Sequence, residues 1–374
     1  MKTDAIGLYV HIPFCIKKCN YCDFCSFDSL AQGERAAYLS ALIREIKSYS
    51  RDEKICVDTI FFGGGTPSLL EPYEFVSVTD AIYESFNVLP ECEFTIEANP
   101  KTLTRDKLIC FKLRGVNRVS IGLQSIHENE RKILGRIHNF EDFKAAYSLI
   151  KECGISNVGV DVMYGIPEQT KESFIETLDA VVRLSPSHIS AYGLILEENT
   201  KFWEARDTLM LPDEDTECEM YYAACEYLSS CGYSHYEISN YAKVGFESKH
   251  NLKYWKNENY IGVGVSAYSY FEGRRYGNTK DLNEYLLSEM TQYITDEAVG
   301  RDESAYEYAM LGLRLSEGIS LSEYKNKFGC DFIFGREEKI KKYIDAGYMQ
   351  NNGERLFLTE KGFYVSNAIL AELL

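Results

Sequence analysis

The sequence predicts an α/β fold: a partial, TIM-like (β/α)6 barrel followed by a smaller α+β unit with the element order of a winged helix. Two features of the chain carry this expectation. Over roughly the first 195 residues, six short apolar, β-rich runs alternate with segments of helical spacing, and from about residue 301 the order becomes three helices, a short β segment and a last helix. Strands that alternate with helices need crossover connections, and a parallel sheet with helices outside satisfies that need.

The predicted strands are 7–12, 57–62, 92–98, 118–123, 157–165 and 188–196; the helical segments between them are 34–49, 72–86, 103–114, 140–152 and 170–184. Each apolar run is short enough to be a strand and is bounded by turn residues. Residues 213–230 read as one helix, 233–278 as mixed β and aromatic-rich sequence, and 356–362 (LFLTEKG) as the β segment before the final helix. The chain divides on this basis into 1–235, 236–300 and 301–374. In barrels of this kind the loops at the C-terminal strand ends carry the chemistry, and most of the motifs below fall there.

Composition narrows the function classes. The chain has 374 residues, 45% apolar and 26% charged, within the range of globular proteins. Forty basic and 57 acidic residues leave a net charge of −17, a surface that repels phosphate backbones and argues against nucleic-acid binding. Residues 301–374 hold 10 basic and 12 acidic side chains, so the winged-helix order there is expected to serve packing or partner docking and not DNA reading. No apolar run approaches bilayer length, and the N-terminal apolar stretch, interrupted by His11 and Pro13, is a poor signal peptide. A cytoplasmic protein with no intrinsic membrane anchor is expected.

Four of the twelve cysteines, Cys15, Cys19, Cys22 and Cys25, lie within eleven residues directly after the first strand; the other eight are scattered and read as small buried hydrophobes. A crowded cluster in a large chain points to metal in place of a disulfide framework. Cys15, Cys19 and Cys22 form a CxxxCxxC run. Three thiolates on one loop can hold three irons of a [4Fe–4S] cube and leave the fourth open. Two alternatives stand beside this: a closed electron-transfer cluster with Cys25 as fourth ligand, and a four-cysteine zinc site, although zinc sites use two separated knuckles.

The second strand ends in Phe61-Phe62-Gly63-Gly64-Gly65-Thr66-Pro67, a run that lets backbone amides approach a ligand closely. Together with the cysteine loop it resembles the radical S-adenosylmethionine superfamily. Tyr9–Cys15 (YVHIPFC), Thr95–Pro100 (TIEANP), Ile121–Ser125 (IGLQS), Gly135–Asn139 (GRIHN) and Asp161–Thr170 (DVMYGIPEQT) resemble the oxygen-independent coproporphyrinogen oxidase group, and within it the HemW family of haem chaperones, along essentially the whole chain.

That resemblance implies roles. Cys15, Cys19 and Cys22 would ligate the cluster; Tyr9, Tyr21, Gly64, Gly65 and Thr66 would line the S-adenosylmethionine site; Glu97 would accept from a ribose hydroxyl. Gln124, Arg136 and Asp161 match positions around a second S-adenosylmethionine in the decarboxylating relatives. Cys25 sits one residue further from the third cysteine than the fourth cysteine of the relatives, and is expected not to be a ligand. No residue is assigned a catalytic role. The decarboxylating relatives also carry a long extension before the cluster motif, which is not expected here because the motif begins at residue 15.

His250-Asn251-Leu252-Lys253-Tyr254-Trp255 matches the HNxxYW signature of the haem-chaperone branch. On a helix His250 and Tyr254 share a face at i, i+4; both are competent haem ligands, and Trp255 could pack on the macrocycle. By spacing alone the stretch reads first as an aromatic patch closing the barrel; the resemblance reverses that and implies a haem site. The expected cofactors are thus a [4Fe–4S] cluster, S-adenosylmethionine and haem, and the expected partner a haem-acceptor protein. The rival activity is oxidative decarboxylation of coproporphyrinogen III.

Overall fold

The computed structural model describes residues 5–287 and 293–374; residues 1–4 and 288–292 lie outside it. Six parallel strands follow one another in chain order: β1 (Ile6–Ile12), β2 (Cys56–Gly64), β3 (Asn87–Ala98), β4 (Arg118–Gln124), β5 (Asn157–Tyr164) and β6 (His188–Gly193). The crossovers are α1 (Gln32–Ser48), α2 (Pro72–Ser85), α3 (Arg105–Leu113), α4 (Glu128–Ile133), α5 (Phe140–Glu152) and α6 (Lys171–Arg183). Side-chain caps fix several helix starts: the Thr104 hydroxyl accepts from the Lys107 amide, and Asn139 and Asp142 form a reciprocal box at α5. The sequence missed α4, which is only six residues long, and ran β6 too far. Residues 194–196 leave the sheet after Gly193, where the Leu194 amide donates to the Tyr164 carbonyl (2.9 Å).

The strands alternate in a way that decides what the barrel is for. Leu8, Val10, Ile60, Phe62, Val119, Ile121, Val158 and Val160 are fully buried beneath the helices, each contributing about 1.5–3 kcal/mol. The intervening residues face the lumen, and they are mostly polar or absent: His11, Thr59, Thr95, Glu97, Arg118, Ser120, Asp161, His188 and Ser190, with Gly63, Gly122 and Gly159. Barrels usually fill that space with branched aliphatics. Here the shell holds the fold and the lumen is left for ligands.

The rest of the chain extends the same sheet at both edges. After α7 (Lys201–Glu204) and α8 (Glu214–Ser230), the hairpin β7 (Ser234–Glu237) and β8 (Asn240–Ala242) pairs antiparallel on β6. Then α9 (Lys249–Trp255) crosses the N-terminal half of β1–β3, with Lys253 reaching the Ala5 carbonyl (3.0 Å) and Asp58 (3.0 Å). β9 (Tyr260–Val263) pairs parallel with β1, and β10 (Tyr268–Phe271), β11 (Arg274–Asn278) and, after α10 (Leu282–Leu287), β12 (Tyr293–Ala298) continue antiparallel. Residues 301–374 hold the three expected helices but more elements than the sequence predicts: α11 (Arg301–Gly312), β13 (Ile319–Ser320), α12 (Leu321–Phe328), α13 (Glu337–Asp345), β14 (Met349–Asn351), β15 (Arg355–Leu358), α14 (Glu360–Tyr364) and α15 (Ser366–Leu373), with a three-stranded sheet ordered β13-β15-β14. The sequence does not predict β13 and β14, and the segment 356–362 leaves the sheet after Leu358 and enters α14 at Glu360. This unit packs on α8 and β7 through ring pairs Tyr221–Tyr364 and His235–Phe363, each 5.3 Å between centroids. Among the described residues, no helix is long and apolar enough to cross a membrane.

Candidate cofactor site at the mouth of the barrel

β1 runs out at Ile12 into a loop that is tied at its base. The Cys15 amide donates to the Phe27 carbonyl (3.0 Å) and the Phe27 amide to the Pro13 carbonyl (2.7 Å), so residues 15–26 project as a closed loop carrying all four clustered cysteines. The loop is held across the mouth as well: the Asn20 amide donates to the Leu134 carbonyl (3.0 Å), and its side-chain amide to the Ile133 carbonyl (2.8 Å). From below, buried His11 contacts the Cys25 carbonyl through Nε2 (2.7 Å), while its Nδ1 lies 3.0 Å from the Tyr9 hydroxyl. Only Nε2–H can donate to a carbonyl, so Nδ1 accepts from tyrosine. Burial pulls the ring's pKa down to about 4 and keeps it neutral.

The glycine run at the end of β2 lies directly against this exit. Gly64 has φ +110°, which favours glycine, and its amide donates to the Glu97 carboxylate (3.2 Å). At Gly65 a Cβ would sit 2.7 Å from the Phe14 carbonyl oxygen, so no side chain fits. Thr66 brings its hydroxyl within 3.8 Å of the Cys15 sulfur.

These elements enclose a cleft of about 420 Å³. It is lined by Cys15, Cys19, Cys22, Tyr21, Gly64, Gly65, Thr66, Glu97, Gln124, Arg136 and Asp161, eleven residues singled out from sequence and drawn from five strand ends and their loops. Arg136 places Nη2 on the Gly122 carbonyl (3.0 Å) and Nη1 3.5 Å from the Cys19 sulfur, and its Nε has no partner. Gln124 sits at φ +66° with its buried carbonyl oxygen unpartnered, a strained conformation of the kind that collects at functional sites. Burial, and then the charge of Asp161, push the Glu97 carboxyl up to about 8. Asp161, itself raised by burial, accepts from the Ser120 hydroxyl (3.1 Å). Sequence reading missed Ser120, Gly122, Asn99 and Tyr192, which also line the cleft. The signal for three of them was the alternation itself: Ser120 and Gly122 are lumen positions of β4, and Tyr192 of β6.

Two family profiles match the chain, the Radical SAM superfamily over residues 9–181 and the HemN C-terminal domain over residues 299–365. In fold it is similar to coproporphyrinogen III oxidase (HemN) from Escherichia coli, a radical SAM enzyme, with a TM-score of 0.85 and 23% identity over 99% of this chain and 90% of that one. Full-length likeness in sequence is closer. The heme chaperone HemW of Lactococcus lactis is 35% identical, covering 98% of this chain and 96% of its own, and that of Bacillus subtilis 34% identical, covering 98% of both. The chain belongs to the HemW family.

Membership of that family, with its radical SAM domain, implies a [4Fe–4S] cluster and S-adenosylmethionine, and the cleft fits them. Among the described residues no three Cys, His, Asp or Glu side chains converge on one metal ion, but a cube takes each thiolate on a different iron and needs no such convergence. Cys15, Cys19 and Cys22 all line the cleft, whereas Cys25 does not and turns its thiol to the Lys280 carbonyl (3.7 Å). Burial pushes the Cys22 thiol up to about 11 and raises Cys15 as well; bound iron would deprotonate them outright. The unpartnered Gln124 oxygen and Arg136 Nε, the Glu97 carboxyl and the side-chain-free Gly64–Gly65 backbone supply the donors and acceptors that a zwitterionic nucleoside ligand requires.

The remaining four residues expected at sites are elsewhere in this HemW-family chain. Tyr9 stands behind the cleft, stacked on Phe61 with centroids 6.2 Å apart. His250, Tyr254 and Trp255 lie on α9, across the opposite end of the barrel from the cysteine loop. His250 is fully buried; its Nδ1 is 2.9 Å from the Thr59 hydroxyl and its Nε2 2.8 Å from the Tyr254 hydroxyl, with the ring stacked on Phe61 at 5.2 Å. Burial holds its pKa down at about 3. The Glu93 carboxylate caps α9 by accepting from the amides of Lys249 (3.2 Å) and His250 (3.1 Å), and Trp255 hydrogen-bonds Glu237. In this conformation neither imidazole nitrogen is free for iron.

Proposed function

We propose that this protein is a cytoplasmic haem chaperone, which binds haem and hands it to an acceptor protein while its cleft holds a [4Fe–4S] cluster and S-adenosylmethionine. The observation that carries the reading is the full-length relationship to heme chaperones named HemW; the eleven cleft residues support the cofactor half of it. Cys15, Cys19 and Cys22 would hold the cluster, and Tyr21, Gly64, Gly65, Thr66, Glu97, Gln124, Arg136 and Asp161 would hold S-adenosylmethionine, with the Cys25 carbonyl setting the tautomer of His11 beneath the loop and Tyr9 donating to its other nitrogen. When bound, these groups supply one-electron chemistry; the chain's own residues bind, orient and exclude water. The same proposal divides the chain at 235 and 300, with 301–374 as the unit that meets a partner. Iron ligation by His250 belongs to this reading only if the imidazole gives up its hydrogen bond to the Thr59 or the Tyr254 hydroxyl and α9 opens to admit the haem.

An anaerobic haem titration of the cluster-reconstituted protein, followed by absorbance, tests it. Saturation near one haem per chain, followed by loss of that absorbance to an added apo-acceptor, is the expected result; absence of saturable binding would refute it. A second reading has its own support: the likeness to HemN in fold, and Gln124, Arg136 and Asp161 gathered in one cleft, favour oxidative decarboxylation of coproporphyrinogen III. Anaerobic formation of protoporphyrinogen IX would establish it.

A further inference from the structure

We infer that the barrel lumen holds a second site, beneath the cofactor cleft, in which Arg118 of β4 and His188 of β6 bind one small monoanion of the halide class. The site is independent of what the cleft or α9 binds. Arg118 and His188 are 2% and 1% exposed, and neither lines the cleft. Among the described residues Arg118 makes no ion pair and no side-chain hydrogen bond, and its buried Nε has no partner. A guanidinium keeps its charge in proteins, and a buried charge without a partner is costly. The carboxyls around it are committed elsewhere. Glu93, in the lumen layer below, accepts from the amides of Lys249 (3.2 Å) and His250 (3.1 Å). Glu97 and Asp161 stand in the layer above; burial outweighs the pull of Arg118 and raises both, Glu97 to about 8, toward their neutral forms.

His188 supplies a second donor. The Tyr236 hydroxyl accepts from the Ser248 amide (3.2 Å) and lies 2.8 Å from His188 Nε2, so it gives its own proton to Nε2 and the ring hydrogen sits on Nδ1. That Nδ1 is buried without a partner. Burial, and then the Arg118 charge, hold the imidazole well below its usual pKa and keep it neutral. Gly159 of β5, the register partner of His188, brings the two groups together. A Cβ there would lie 3.4 Å from His188 Nδ1 and 3.5 Å from both Arg118 Nη2 and Ser120 Oγ, so three polar atoms border one point of the lumen that no side chain fills. Thr95, beside Arg118 on β3, adds a buried hydroxyl without a partner. An occupant must accept from orphaned donors and, to offset the guanidinium, carry negative charge. With three polar atoms so close to one point, the space suits an ion of a single atom.

The test uses the full-length, cluster-reconstituted protein under anaerobic conditions, with two readouts. In crystals grown in sodium bromide, anomalous scattering at the bromine edge should show one peak beside Arg118, His188 and Gly159; an ordered water only at that place would overturn the site. In urea unfolding at constant ionic strength, chloride is exchanged for gluconate, which is too large to enter. The folded-to-unfolded ratio of wild type should rise about tenfold for each tenfold rise in chloride once the site is saturated, the dependence expected of one ion per chain. Gly159→Ala is the matched variant: its methyl carbon meets its neighbours at ordinary van der Waals distance and occupies the point the three polar atoms share. Its unfolding should respond to chloride no more than to gluconate. General salt effects are common to both proteins, so an equal chloride response in wild type and Gly159→Ala would overturn the inference. Should Gly159→Ala fail to fold, the bromide map of wild type decides alone.

Discussion

Replacing Gly65 by alanine isolates the contact on which the site geometry depends. The added methyl carbon would lie 2.7 Å from the Phe14 carbonyl oxygen, 2.9 Å from the Pro13 carbonyl carbon and 3.0 Å from the Ile12 oxygen. All three are backbone atoms of the segment that leads from β1 into the cysteine loop, so no flexible side chain can yield. Either β2 withdraws from β1, straining the Gly65 amide's bond to Ile12 (2.8 Å), or the base of the loop moves. Overpacking of this kind costs about 1–3 kcal/mol. Gly33 in α1 provides the control: its Cβ would meet nothing within 4 Å, and alanine there should be stabilising by about 0.5–1 kcal/mol through helix propensity. Urea unfolding of the apo-proteins and iron content after reconstitution are the two readouts. Gly65→Ala should unfold at lower urea and retain fewer than four irons per chain, while Gly33→Ala loses neither. A Gly65→Ala protein with wild-type midpoint and full iron would refute the claim that this backbone contact sets the loop.

Three further expectations follow from the same geometry. Arg136→Gln removes a guanidinium placed 3.5 Å from the Cys19 sulfur; a hydrogen bond to a charged acceptor is worth about 1.5–3 kcal/mol, so the cluster potential should fall by roughly 60–130 mV, at 59 mV per tenfold for one electron, in an anaerobic redox titration read by electron paramagnetic resonance, and an unchanged potential would count against the contact. Because Glu97 is raised from 4.5 to about 8 in the folded protein, folding binds its proton more tightly; its stabilising share is complete below pH 4.5 and is lost as pH rises through 8, so Glu97→Gln should flatten the decline of apo-protein stability between pH 5 and 8.5 relative to wild type. His250→Ala deletes two hydrogen bonds and a stacked ring in a sealed site and should cost about 2–4 kcal/mol in chemical denaturation; a loss below 0.5 kcal/mol would mean that α9 is not locked as described.

The parallel core was legible because each of its strands is locally apolar and each crossover locally helical: the predicted 140–152 is α5, and 72–86 exceeds α2 by one residue. The cysteine loop and the Gly63–Gly65 run were legible for a similar reason, since their chemistry is concentrated in a few adjacent residues. What escaped was whatever depends on distant partners. β9 is four residues long and is a strand because it lies beside β1; nothing in its own pattern distinguishes it from the other mixed β and aromatic sequence of 233–278. The same holds for His250. Spacing put it on one face with Tyr254, and the structure agrees, but its second partner is Thr59, 191 residues away. Spacing within a motif shows which side chains share a surface and leaves open what covers it.

The pairing of β1 has a consequence for how the chain is made. β1 lies between β2 and β9, and its register with β9 joins Gly7 to Tyr260. At ribosomal rates of about 5–20 residues per second, the strand that carries the cysteine loop waits roughly 10–50 s for its second neighbour to be synthesised. Until then one backbone edge of IGLYVHI is open, a template for mispairing with other nascent chains. Contacts of such long sequence separation form late and slowly, so the cysteine loop acquires its final footing only near the end of folding. A truncation before residue 260 removes β9 and is expected to leave one edge of β1 unpaired and to lower the iron content of the cysteine loop relative to the full chain.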